Sequence, residues 1–223
     1  MFQALRPILI LILAAMVLQT TMGAQPLPPA IQWIPQDAVI SLELSRPKAL
    51  LDLFAGEKAV EFITSLPAYQ KQASNPKFRE FLGIVGYLEA TLGTDWRTAL
   101  AKLTGGGITL AVCPEDTVLL IIDAEDQQML ERLHETFLDF ARAEAQKRGQ
   151  PDRVASTQHR DITAWTFDGK EAHAIIGKRF VLSNRPEGLK AVLDRRAGAG
   201  GASLASKSTY RTAKSRIESG SVA

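Results

Sequence analysis

One cysteine, three histidines and almost no net charge are what this 223-residue sequence has least of. The single Cys113 excludes a disulfide framework within the chain and any zinc or iron–sulfur site built from several cysteines. His134, His159 and His173 leave little material for a histidine-rich metal centre, and no cofactor is expected. Lys+Arg 26 against Asp+Glu 24 gives a formal charge of +2, too close to neutral to argue for nucleic acid as a partner. What remains is a globular composition, 46% hydrophobic and 22% charged.

A run long enough to span a bilayer is also missing. Residues 7–18 (PILILILAAMVL) are apolar throughout, but twelve residues fall short of the roughly 20 that a spanning helix needs. Arg6 precedes this run and the small, polar stretch 19–24 (QTTMGA) follows it. That order is the one found in a cleavable secretory signal peptide. Thr21 and Gly23 suit the peptidase positions for a cut after Gly23, so 1–23 is expected to be a signal peptide and the protein to be periplasmic or extracellular. No cysteine stands at the cut to carry a lipid, and no stable membrane span is expected after cleavage. About 200 residues then remain, enough for one sizeable core.

Residues 24–37 carry Pro26, Pro28, Pro29 and Pro35 and are expected to form an extended lead-in. Residues 38–44 (AVISLEL) read as a first strand. Ser45-Arg46-Pro47 then suits a helix start, with Ser45 as N-cap and Leu50, Leu51, Leu53 and Phe54 on the apolar face. A second helix starts at Asn75-Pro76, with Phe78, Phe81, Leu82, Val85, Leu88 and Leu92 at helical spacing up to Gly93. Gly83 and Gly86 inside it each cost about 1 kcal/mol against alanine, which predicts close approach by another element. Thr94 or Asp95 caps a further short helix.

Residues 105–107 (GGG) stop that helix. Residues 108–113 and 117–123 (TVLLIID) read as a hairpin, the second strand apolar on consecutive residues and so expected to be buried on both faces. Residues 125–147 give the longest helical pattern. Met129, Leu133, Phe137 and Phe140 form its stripe, and Glu131, Glu135, Asp139 and Arg142 lie away from it. A β meander follows, with strands near 154–159, 162–167, 170–176 and 179–183 joined by two-residue turns at Arg160-Asp161, Asp168-Gly169 and Gly177-Lys178. A helix near 185–195 and a glycine-rich link at 197–201 (AGAGG) complete the pattern.

Two stretches look alike. LSRP at 44–47 leads into a leucine-rich helix with SLPAY downstream, and LSNRP at 182–186 leads into another with Ser203-Leu204 and Tyr210 downstream. If the two stretches are a repeat, the second unit would be incomplete, and the tail from Tyr210 would be an edge left unfinished. The stretches 81–112 (FLGIVGYLEATLGTDWRTALAKLTGGGITLAV) and 162–194, which contains TAWTFDGKEAHAIIGKRFVLSN, together with Ser203-Leu204 and Tyr210, resemble a group of exported planctomycete-type bacterial proteins of unknown function. Asp161 stands where those proteins tend to have glycine, a tolerable exchange at a turn. The resemblance implies export and fold, and supplies no chemistry.

Candidate catalytic groups are few. His134-Glu135 starts a zinc-protease pattern, but Leu138 stands where the second histidine is needed, so His134 reads as a boundary residue. The glycines at 105–107 lead into a strand and lack the Gly-Lys-Ser/Thr of a phosphate loop. Glu171 and His173 share one strand face, and two-residue turns would place His159 on it too, two strands and about 10 Å away. These three residues are the candidates for an acid–base or metal site; Trp165 and Phe167 would then point to the other face. Cys113 reads as a buried thiol. Lys207, Arg211 and Lys214 could line one helical face, as a solvated surface or as a contact for an acidic partner.

The expected organisation is a signal peptide (1–23), an extended lead-in (24–37), an α+β domain (38–196) and a glycine-rich linker with an incomplete helical tail (197–223). The fold class is α+β, an antiparallel sheet with a C-terminal meander and helices packed on it. The functional expectation is an exported, non-enzymatic envelope or periplasmic protein that binds or assembles with an unknown protein or envelope component. The alternative is a secreted hydrolase using His159, Glu171 and His173 of the meander.

Overall fold

The computed structural model describes residues 26–45 and 47–220. The expected signal peptide, and Arg46 at the expected start of the first helix, lie outside the described residues. The fold is α+β. Its antiparallel sheet is 7-stranded, in the order β1 (Ile40–Leu44), β2 (Gly107–Cys113), β3 (Thr117–Asp123), β7 (Arg179–Ser183), β6 (Ala172–Ile176), β5 (Ile162–Phe167), β4 (Val154–His159). The hairpin β2–β3 and the meander β4–β7 are thus two blocks joined along β3 and β7, where Leu119 faces Ser183 and Ile121 faces Val181.

Between β1 and β2 the chain forms α1 (Pro47–Ala55), α2 (Glu57–Ser65), α3 (Pro67–Ala73), α4 (Pro76–Leu92) and α5 (Trp96–Thr104). The long α6 (Gln127–Lys147) links β3 to the meander, and α7 (Pro186–Arg196) and α8 (Ser208–Gly220) follow β7. The starts obey local chemistry. Asn75 accepts from the Lys77 backbone N–H at 2.9 Å, Asp95 from those of Arg97 and Thr98 at 3.0 Å, and Asp126 from that of Met129 at 3.0 Å. Gly93, at φ 69°, ends α4 in the left-handed conformation that glycine adopts without strain. Residues 57–73, which show no clear pattern in the sequence, are helical as well, with Pro67 at the first position of α3.

One face of the sheet is closely packed. Ala111, Leu119, Ile121, Ala174 and Val181 meet Leu189, Val192 and Leu193 of α7, and none of these is more than 2% exposed. The 3-10 turn Ala30–Trp33, Ile34 and Leu204 complete this core. The expected boundaries at 37 and 197 are therefore corrected. Residues 30–34 are part of the core rather than an extended lead-in, because burying Ile31, Trp33 and Ile34 outweighs the extended bias of the prolines nearby. The segment after the glycines returns to the same place, where the Leu204 N–H donates to the Ile34 carbonyl at 2.9 Å and the Gln36 N–H to that of Ala202 at 3.1 Å.

The other face carries α6, with α5 beside it, and is open. Leu119 and Ile121 of β3 are fully buried, but Leu120 and Ile122 are only half-buried, so the expected two-sided burial of this strand is corrected. Phe137 and Phe140 of the α6 stripe remain 51% and 45% exposed. Gly83 and Gly86 do not mark a close approach: nothing lies within 4 Å of where a Cβ would stand on either. The two similar stretches also part ways, since α1 packs against α5 whereas α7 packs on the closed face of the sheet. Lys214 lies 3.8 Å from Glu43 and 3.3 Å from the Tyr210 hydroxyl, so part of the expected basic face is turned onto β1.

Candidate functional site

Between α5, α6 and the open face of the sheet lies a cavity of about 790 Å³. Its floor is Ile122, Phe180, Leu182 and Phe167; Leu100 and Leu103 of α5 and Leu130, Leu133, Phe137 and Phe140 of α6 make its walls. The local sequence explains this. Leu130, Leu133, Phe137, Ala141 and Glu144 recur at three- and four-residue spacing and so share one helix face. Ile122 faces Phe180 across β3–β7, and Leu182 faces His173 across β6–β7, so all four side chains rise on the same side of the sheet. Large residues on both surfaces hold the helix off the strands, and the space between them is lined almost wholly by carbon.

Two histidines stand in this lining. His134 comes from α6 and His173 from β6, with Nε2 to Nε2 at 3.0 Å, so that one ring donates its N–H to the other ring's lone pair. The rings meet edge to face, their centroids 5.1 Å apart. Phe167 and Phe180 lie 5.1 and 5.7 Å from His173, and Trp165 lies 6.2 Å from His134. Burial first, and then the neighbouring His134 ring, pushes His173 down to about 4. Burial also lowers His134, opposed by Glu135 and assisted by Arg142. Both rings are therefore neutral at pH 7.

The expected trio does not assemble. Trp165 faces His173 in the β5–β6 register, whereas a two-residue turn at Asp168-Gly169 would have set Trp165 against Ala172. The connection is one residue longer than that, and one residue reverses which side chains share a face. Trp165 and Phe167 consequently stand beside His173, and His159 points to the opposite face. There His159 Nε2 lies 2.8 Å from Asp194 Oδ1, to which Arg160 Nε also donates at 2.8 Å, tying the β4–β5 turn to α7. Arg160 first, then His159, holds the Asp194 carboxyl below the usual range.

Glu171 does reach the cavity, but its Oε1 accepts the Phe167 backbone N–H at 2.9 Å and so braces the β5–β6 turn. Glu144 accepts from Arg148 Nε at 2.8 Å. The Thr104 hydroxyl donates to the Leu100 carbonyl at 2.8 Å. No serine or cysteine lines the cavity among the described residues. Cys113 lies in the core of the opposite face, where burial pushes its thiol up and away from reactivity. Among the described residues, no group of three or more His, Cys, Asp or Glu could hold a metal ion. No helix among them is long and apolar enough to cross a membrane.

The pairing of His134 with His173 escapes a reading of sequence because the partners are 39 residues apart and meet only once the β5–β6 register is known. The available signal is that His134 follows Leu130 by four residues and precedes Phe137 by three, which places it on the apolar stripe rather than at its edge. No protein-family model matches this chain, and no curated protein or solved structure matches it either.

Proposed function

We propose that this chain is an exported, non-enzymatic protein of the bacterial envelope or periplasm, and that it acts by holding an apolar small molecule in the cavity beneath α6. The observation that carries this reading is the cavity itself, about 790 Å³, carbon-lined, and bordered by two mutually bonded histidines rather than by a nucleophile and its base. The leader pattern at 1–23 supports export. The hydrolase reading loses its constellation once His159 lies on the other side of the sheet. The test is titration of the purified protein with N-phenyl-1-naphthylamine, whose fluorescence rises in apolar surroundings. Saturable one-to-one binding is expected, and Leu133→Trp, which fills the cavity, should abolish it. Absence of saturable binding would sink the reading.

A second reading, assembly with a protein partner, is favoured by a separate observation. Ile40 and Leu42 of the terminal strand β1 are 61% and 63% exposed, and Phe54, Phe62 and Phe81 on the neighbouring helices are exposed too. Sedimentation of the protein alone, and of Ile40→Asp with Leu42→Asp, tests it. Concentration-dependent association lost in the double variant supports assembly, and a monomer at all concentrations leaves self-assembly without support.

A further inference from the structure

We propose that the ligand of the cavity is a neutral long-chain molecule carrying one hydroxyl, and that this hydroxyl stands between Nε2 of His134 and Nε2 of His173. The proposal rests on the apolar-ligand reading above and adds the chemistry of the head group.

The two imidazoles form a donor–acceptor couple. At 3.0 Å, one Nε2 carries the proton and the other the lone pair, and each ring atom is satisfied by its counterpart. A hydroxyl has the same two capacities on a single oxygen. It can accept from one ring and donate to the other, so that opening the couple leaves no buried polar atom unpaired. An ether can accept but not donate, and would strand one nitrogen.

Charge at the site argues against an ionic head. His173 is 4% exposed and is surrounded by Phe167, Phe180 and Trp165 rings, so the couple is held neutral. The charged groups around it already have partners or cancel. Glu144 is taken by Arg148, and Glu171 by the Phe167 N–H. Glu135 and Arg142 act on His134 with opposite signs. Arg142 itself pairs with Asp139 at 3.2 Å and lies 5.2 Å over the Trp165 ring. Glu131 and Asp161, on the outer side of His134, add negative charge. A carboxylate would meet a surplus of like charge, and an ammonium inside the cavity would find only Glu144 and Glu171, already taken by Arg148 and the Phe167 N–H.

Calorimetric titration of the full protein at pH 7.5 with 1-dodecanol, dodecyl methyl ether and dodecanoate provides the test. The alcohol is expected to bind about tenfold tighter than the ether, the equivalent of one hydrogen bond left unmade. His134→Leu should erase that preference while the ether still binds. His134→Gln, which retains a donor and an acceptor, should keep most of it and reports on folding at the same site. Equal affinity for all three ligands, or a preference for dodecanoate, overturns the hydroxyl proposal and leaves the apolar cavity standing. Failure of every ligand to bind overturns the cavity reading, and this proposal with it.

Discussion

The two faces of the sheet are built from the same strands and end in different states. In β3, Leu119 and Ile121 point one way and are fully buried, while Leu120 and Ile122 point the other way and remain half-buried. At these positions in β3 the two sides carry the same residue types, one leucine and one isoleucine each; what differs is side-chain size on the neighbouring strands where a helix must dock. Ala111, Ala172 and Ala174 keep one face low, and Gly188 lets α7 come so close that a Cβ there would lie 2.3 Å from Ser183 Oγ. On the other face, Phe180, Leu182 and His173 stand against Leu133 and Phe137, and the helix cannot close down. Burial is thus set by fit as much as by composition.

That contrast can be broken most forcefully at a buried ion pair of the closed face. Arg179 is 2% exposed, donates to both oxygens of Asp123 at 2.6 and 3.0 Å and lies 4.2 Å over the Trp33 ring. Asp123→Ala would strand the buried guanidinium and should cost about 3–5 kcal/mol in urea unfolding. A smaller but cleaner comparison sets Leu193→Ala against Phe137→Ala. The first empties a site on the closed face and should cost about 3 kcal/mol; the second, half-exposed over the cavity, should cost less than about 1 kcal/mol. Similar losses at the two sites would show that α6 closes on the sheet in solution.

Mild acidification, from about pH 7 to pH 5, probes the open face. His173 titrates near 4 in the folded chain and near its ordinary 6.5 when unfolded. As the pH falls from 6.5 to 4, the unfolded chain takes up a proton at His173 that the folded chain does not, so the His173 contribution to stability falls over that window and levels off below it. His173→Phe should remove about 2 kcal/mol of the destabilisation seen between pH 7 and pH 5, measured as the difference between the two proteins' unfolding curves. The smallest effects have opposite signs. Gly188→Ala on the closed face should destabilise by about 1–2 kcal/mol through overpacking. Gly83→Ala in α4, where nothing lies within 4 Å, should stabilise by up to about 1 kcal/mol.

Much of the fold was legible because it is written locally. Asn75, Gly93, Asp95 and Pro186 mark helix ends through contacts within a few residues, and the apolar run of β3 and the turn signals of the meander give the strands. What was not legible depended on distance or on a single residue of register. Nothing local says that Trp33 and Ile34 lie under α7, or that Leu204 returns to them. The β5–β6 connection carries the strongest hairpin signal in the chain, Asp168-Gly169 with both residues at positive φ, yet it holds one more residue than the commonest hairpin. That residue decides which side of the sheet faces His173, and hence that its partner is His134 rather than His159. Residue type alone points to Glu171 and His173; the cavity beside them exists only once the helix and sheet are brought together.

The closed face has a further consequence, for the order in which the chain folds. Tyr210 donates to Glu43 across 167 residues, and Leu204 pairs with Ile34 over a comparable span. Contacts of that separation carry a large loop-closure entropy before they return any energy. The meander and its neighbour α6 need no such closure. Trp33 is therefore expected to reach its native environment after Trp165 during refolding, so that the most stable surface of the molecule is the last to be finished. Stopped-flow fluorescence of variants keeping one of these tryptophans at a time would read the order directly, and simultaneous burial of both would refute it.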